Sequence, residues 1–335
     1  MHRASTGATL VSLERIRRAR DRIAPVARVT PLIDVTIAAG RPLWLKCENL
    51  QPAGAFKIRG AYNMVAQLSP EQRRHGVITY SSGNHGQAMA LAARELGAPA
   101  VVVMPTTAPA IKVAGARAFG AEVILEGTTS AHRLARAEAE AASRGLTMVP
   151  PFDHEWIIEG QGTAGLEILE QRPDVAVVLV PIGGGGLIAG VAAAIKQSNS
   201  GVRVIGVEPS GAAAMKASVE AGHVVTLPKT ESVADGLMPV RAGDLTLAHV
   251  QAFVDHVVTV EDREIVDAVI WAFERARIVV EPSGAASIAA VLGGAMDRAI
   301  GEMPVGPVVA IVSGGNLGLD RIAELSAHSA GTRRA

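Results

Sequence analysis

Four segments hold the residue types and spacings that do chemistry. In Gly54-Ala55-Phe56-Lys57-Ile58-Arg59-Gly60-Ala61 a lysine follows a small-residue turn and sits beside an aromatic ring. A partly apolar pocket lowers the pKa of such an amine and frees it as a nucleophile. Ser81-Ser82-Gly83-Asn84-His85-Gly86-Gln87-Ala88 lies between the apolar run Val77 to Tyr80 and a helical pattern. Its hydroxyl and amide groups suit a helix cap, and their density also suits contact with a polar ligand. Four consecutive glycines, Gly183 to Gly186, follow the apolar run Val175 to Ile182 and precede the helical spacing Leu187, Ile188, Val191, Ile195. Bare backbone ahead of a helix lets successive N–H groups turn toward one point, and the helix dipole favours an anion there. The fourth segment, Ser313-Gly314-Gly315-Asn316, follows Val308 to Val312 and is either an ordinary turn or part of a site at converging strand ends.

A phosphate is the guest that the glycine run suits. The run lacks the lysine and hydroxyl residue of a P-loop, because Leu187-Ile188 comes next. It also lacks the spaced glycines and following acidic residue of a dinucleotide site as a set, although Glu208 stands between Val207 and Pro209. A nucleophilic amine, a phosphate cradle and polar loops at strand ends together suggest a phosphorylated aldehyde held as a Schiff base. That is pyridoxal phosphate.

The elements that must position these loops are legible as alternating patterns. Strand-like runs occur at 100–104, 122–125, 175–180, 202–207 and 308–312, besides Val77 to Tyr80. Helical patterns occur at 86–96, 130–143, 187–196 and 261–276, the last with Ile265, Val269 and Phe273 on one face. Such alternation predicts an α/β protein with mainly parallel sheets covered by helices. Two strand–helix series, one near 75–150 and one after 170, predict two α/β domains with a cleft between them. Val149-Pro150-Pro151-Phe152-Asp153 is the expected crossover, and residues 326–335 are expected to form a flexible tail.

Composition narrows the function classes. The 335 residues include 32 basic and 32 acidic ones, and only 3% are aromatic. Neither a global field nor a stacking surface for nucleic acid is implied. Cys47 is the single cysteine, which excludes an intramolecular disulfide or a thiolate metal cluster and fits a reducing compartment. No secretory signal and no unbroken apolar stretch of membrane-spanning length is visible, so a soluble cytoplasmic protein is expected.

From about Val29 to Leu317 these motifs, in this order, resemble the fold-type II pyridoxal phosphate enzymes, in the branch of threonine/serine dehydratases and serine racemases. The resemblance implies a tryptophan synthase β-like architecture of two three-layer αβα domains. The larger would comprise 1–67 and 153–325, and the smaller 68–152 with the Ser81–His85 loop. Lys57 would carry pyridoxal phosphate and act as general base, with Ala55 where the family usually has serine. Asn84 would meet the cofactor's phenolic oxygen, and Gly183, Gly184, Gly185, Gly186 and the Leu187 amide its phosphate. Ser313 would meet the pyridine nitrogen, where a hydroxyl makes the ring a weaker electron sink than a carboxylate would and favours loss of a β-substituent.

Ser81, Ser82, Gly83, Asn84 and His85 would grip the substrate carboxylate. Ser82 also falls where serine racemases carry a second acid/base and threonine dehydratases commonly have alanine. Pro151-Phe152-Asp153-His154 with Gly160-Gln161-Gly162-Thr163 resembles threonine dehydratases instead. The activity implied is elimination of water from L-threonine and/or L-serine, giving 2-oxobutanoate or pyruvate plus ammonia. Serine racemisation and hydroxyaspartate dehydration are the alternatives within the branch. A β-replacement enzyme and a non-catalytic cofactor carrier are rivals outside it; Phe152-Asp153-His154 favours elimination, and a carrier needs no carboxylate grip. Glu208, Ala212 and Ala214 fall on the cation site of serine racemases, and alanine at the aspartate position argues against a metal. Glu281 is expected either near the cofactor or as a helix cap, and the assembly implied is a homodimer.

Overall fold

The computed structural model describes residues 9–81, 83–302 and 304–332. Ten strands build two sheets: β1 (Leu32–Asp34), β2 (Leu43–Cys47), β3 (Val77–Tyr80), β4 (Ala100–Met104), β5 (Glu122–Leu125), β6 (Thr147–Met148), β7 (Val177–Pro181), β8 (Arg203–Pro209), β9 (His256–Val260) and β10 (Val308–Val312). The six-stranded sheet has the order β1-β2-β10-β7-β8-β9, and the four-stranded sheet β5-β4-β3-β6. All pairings are parallel except β1 with β2 at one edge.

Successive strand residues point to opposite faces, so a continuous apolar run serves two cores. In β7, Val177 and Leu179 pack with the helices Asp262–Trp271 and Pro282–Leu292, whereas Val178 and Val180 pack with Gly186–Ser198 and Glu155–Gln171. The smaller sheet divides likewise. Val102 and Met104 face the helices Asn84–Glu95 and Lys57–Ala66, while Val101 and Val103 face Ser130–Arg144. The helix Lys57–Ala66 therefore lies between the two halves of the fold, against both Asn84–Glu95 and Glu155–Gln171.

Several elements depart from the sequence reading. The run at 261–276 is an α-helix only over Asp262–Trp271; a π-helix spans Ala272–Ala276. Ile265 and Val269 are buried as expected, but the wider π turn takes Phe273 off that face and leaves it 52% exposed. Residues 326–332, expected as flexible tail, belong to the helix Leu319–Thr332, and 333–335 lie outside the described residues. No helix was expected over Glu155–Gln171, whose Gly160, Gly162 and Gly165 weaken helix propensity. Packing explains them: a Cβ on Gly162 would stand 2.9 Å from the Gly190 carbonyl, so small residues let two helices meet backbone to backbone.

Candidate active site

The loops at the carboxyl ends of β10, β3 and β7 converge on the start of the helix Lys57–Ala66. The Phe56 N–H donates to the Ser313 carbonyl at 3.0 Å, and the Gly315 N–H to the Gly54 carbonyl at 2.9 Å. These bonds clasp the lysine loop to the Ser313 loop through an antiparallel bridge between Ala55 and Gly314. Lys57 is the first helical residue and is partly buried. Its Nζ donates to the Pro151 carbonyl at 2.7 Å and lies 5.2 Å from the Phe56 ring centroid. Desolvation lowers the pKa of this amine to about 8.

The glycine run turns at Gly185, whose φ of 97° suits glycine, and enters the helix at Gly186. A Cβ on Gly184 would overlap the Phe152 ring. The Gly184 carbonyl accepts from Thr246 Oγ1 at 2.7 Å, which fixes the peptide's orientation. N–H groups in the first turn of a helix have no intrahelical acceptor. Those at Gly186 and Leu187, behind side-chain-free Gly183 to Gly185, thus offer a cradle for an anion. Phe152 belongs to the crossover, whose Asp153 carboxylate accepts the N–H groups of Asp244, Leu245 and Thr246 at 3.0–3.1 Å. One short segment therefore touches Lys57, the glycine run and a helix N-terminus.

The Ser81 loop follows β3. Ser81 Oγ accepts the Gly83 N–H at 3.1 Å, and Ser82 lies outside the described residues. Asn84 opens the helix Asn84–Glu95; its Nδ2 donates to Glu281, and its Oδ1 accepts from Asn316 Nδ2 at 3.0 Å. His85 is buried, with Nε2 at 3.1 Å from the Val149 carbonyl. A carbonyl only accepts, so this contact puts the proton on Nε2 and leaves Nδ1 as an acceptor without a partner. Burial first, and the Lys57 charge second, depress the His85 pKa to about 3, so the ring is neutral. Ser313 is buried, with its hydroxyl donating to the Ser283 carbonyl at 3.3 Å.

Of the two expectations for Glu281, the helix cap is not met. The residue occupies the N-cap position of Pro282–Leu292 but makes no side-chain cap. Its carboxylate turns instead toward Asn84 and toward Lys112 Nζ, 3.5 Å away. Burial raises its pKa, with Lys112 opposing the shift. Lys112 and its second partner Asp235, 2.6 Å away, were not singled out from the sequence. Lys112 lies within the helix Ala110–Ala118, and nothing local marks it. Glu208 caps another helix: its two carboxylate oxygens accept the Met215 and Lys216 N–H groups, each at 2.8 Å. Among the described residues no group of three or more His, Cys, Asp or Glu is placed to hold a metal.

Residues 23–314 match the family model of the pyridoxal-phosphate dependent enzymes. The chain belongs to that family. The pyridoxal-phosphate enzyme is 42% identical to an L-threonine ammonia-lyase of Thermotoga maritima, over 93% of this chain and 77% of that one. It is also 42% identical to a serine racemase of Oryza sativa subsp. indica, over 91% of this chain and 90% of that one. Among solved structures, that of maize serine racemase superposes with a TM-score of 0.89 at 39% identity, covering 98% of this chain and 100% of that one. The residues present fit the cofactor. A lysine amine with a lowered pKa suits its aldehyde, the side-chain-free helix start suits its phosphate, and the unpartnered His85 Nδ1, beside Lys57, is a polar atom left for a ligand or water.

Proposed function

We propose that this pyridoxal-phosphate enzyme is an ammonia-lyase that removes water from L-threonine and/or L-serine, releasing 2-oxobutanoate or pyruvate and ammonia. The observation that carries the reading is the Lys57 amine, depressed to a pKa of about 8 and held 2.7 Å from the Pro151 carbonyl among the three polar loops. The 42% identity to L-threonine ammonia-lyases supports the same reaction.

When bound, pyridoxal phosphate supplies an electron-accepting ring that acidifies the substrate's α-hydrogen. Lys57 anchors that cofactor and, when its amine is free, takes the α-proton; the Pro151 carbonyl keeps the amine oriented. The N–H groups from Gly183 to Leu187 hold the phosphate, Ser313 meets the ring nitrogen, and Asn84 the phenolic oxygen. Ser81, Ser82, Gly83, Asn84 and His85 receive the substrate carboxylate. Residues 1–67 with 153–325 act as one domain and 68–152 as the other, a division supported by the strands of the smaller sheet all lying between Val77 and Met148. A homodimer in the cytoplasm is the assembly and place this reading carries. Among the described residues no helix is long and apolar enough to cross a membrane.

Serine racemisation is the second reading, favoured by Ser82 and by the rice relative. Dehydration of hydroxyaspartate is a further alternative substrate within the same reaction. Incubation of holoenzyme with L-serine and with L-threonine, followed by keto-acid detection, tests the lyase. No keto acid from either, with cofactor bound, sinks it. A chiral assay for D-serine in the same incubation decides the racemase reading.

A further inference from the structure

Lys112 is 4% exposed, yet its two carboxylate partners come from the other half of the fold. Asp235 Oδ2 lies 2.6 Å from Nζ and Glu281 Oε2 3.5 Å. A Cβ on Gly83 would overlap Lys112 Cδ, so the lysine stem lies directly against the Ser81–His85 loop. The next residue, Asn84, donates to the same Glu281 carboxylate. On the opposite side, Asp235 is followed by Gly236, whose N–H donates to Ser283 Oγ at 2.8 Å. The Gly236 carbonyl would stand 2.9 Å from a Cβ on Gly183, so Asp235 is tied to the start of the glycine run. Lys112 therefore bridges from the loop after β3 to the loop after β7.

We propose that Lys112 is a positioning residue: its ammonium, hydrogen-bonded to Asp235 and ion-paired with Glu281, latches the Gly83–His85 segment against the glycine cradle and so sets the closed form of the cleft. A buried cation with two acceptors from a neighbouring unit is expensive to separate, because the buried Lys112 ammonium and the buried Glu281 carboxylate would each lose a partner, whereas the part-exposed Asp235 would regain water. The stem gives the loop a surface, and the charge gives closure its direction. This rests on the reading of that loop as the substrate grip.

Lys112→Gln keeps much of the stem and removes the charge, whereas Lys112→Arg keeps the charge. In Lys112→Gln holoenzyme, hydrogen–deuterium exchange without substrate is expected to rise at least fivefold in peptides covering 83–95 and 110–118. Lys112→Arg should stay within twofold of wild type. With substrate, Lys112→Gln is expected to raise KM at least tenfold while kcat falls less than threefold, and Lys112→Arg to restore most of the KM. Asp235→Asn, which leaves the lysine in place, should raise the same exchange if Lys112→Gln does not fold. Unchanged exchange in the charge-removing variant, or equal loss in Lys112→Arg, overturns the latch. Absence of keto acid from wild type overturns the lyase reading instead, and the exchange contrast then decides the latch by itself.

Discussion

The Lys57 amine donates to the carbonyl of Pro151, 94 residues along the chain, at 2.7 Å. Pro151 belongs to the crossover whose next residue packs on Gly184 and whose Asp153 caps the helix Asp244–Phe253. The amine is thus held by a backbone acceptor fixed on both sides, without a carboxylate to stabilise its charge. That arrangement leaves desolvation as the cause of its lowered pKa.

Replacing Lys57 with Met should therefore stabilise the apoprotein near neutral pH. The folded amine titrates near 8 and the unfolded one near 10.5. Below pH 8 both states bind the proton, and folding carries the cost of a desolvated ammonium. Between 8 and 10.5 the unfolded chain binds more protons, so wild-type stability rises with pH. The variant is expected to be more stable by about 3 kcal/mol at pH 7, with the gap closing by pH 10.5. Thermal unfolding of both apoproteins across this range checks it; a gap that does not shrink refutes the cause assigned to the shift.

At the glycine run, Gly185→Ala places a side chain on a backbone with φ of 97° and crowds Met215 Cε and Thr246 Oγ1. Strain of this kind costs about 1–2 kcal/mol, and the turn it disturbs carries the proposed phosphate N–H groups. Cofactor affinity, followed by absorbance on titrating the apoprotein with pyridoxal phosphate, should fall at least tenfold. Equal affinity in the variant would remove the run from the phosphate site.

Arg59, two residues after Lys57, anchors the same helix from behind. It donates to both oxygens of Glu48 at 2.7 Å and to both of Glu167 at 2.6 and 2.9 Å, and Lys46 Nζ bonds the same Glu167. All four side chains are buried. Arg59→Met should cost about 3–5 kcal/mol by leaving two carboxylates facing one lysine, measured by urea unfolding. Adding Glu48→Gln to it should recover part of the loss, because Glu48 is the carboxylate left without a bonded cation while Glu167 keeps Lys46.

The sites that demand a special backbone were the ones the sequence exposed. Gly183 to Gly186, Gly54 and Gly314 are glycines because side chains there would strain the turn or collide, so the chain marks its own close approaches. Lys57, Asn84 and Ser313 stood out because they sit beside such marks. Lys112 and Asp235 did not, since their importance comes from meeting across 123 positions and neither has an unusual local setting. Lys46, inside an otherwise apolar strand, likewise becomes intelligible only with Glu167 beside it. The helix Glu155–Gln171 was missed because its glycines serve contacts with other helices, which no local pattern reveals. Phe273 misled because an i, i+4, i+8 spacing assumes an α turn where a π turn occurs.

Glu208 gives the opposite pH signature to Lys57. It is fully buried, and desolvation raises its carboxyl to about 7 despite two N–H donors from Met215 and Lys216. Between pH 4.5 and 7 the folded state keeps a proton that the unfolded chain releases. Its contribution is thus complete at low pH and is lost as pH rises through 7. Glu208→Gln removes this slope, while its single acceptor oxygen gives up one cap bond at a cost of about 1 kcal/mol. Relative to the variant, wild type should lose roughly 2 kcal/mol between pH 5 and pH 8, read from denaturant unfolding at each pH. With both carboxylate oxygens engaged by backbone and an alanine at position 214, this residue is expected to offer no strong divalent-cation site. Dialysis against EDTA should then leave keto-acid production within twofold of its starting rate; a large loss restored by magnesium or calcium would show that the cap yields to a metal.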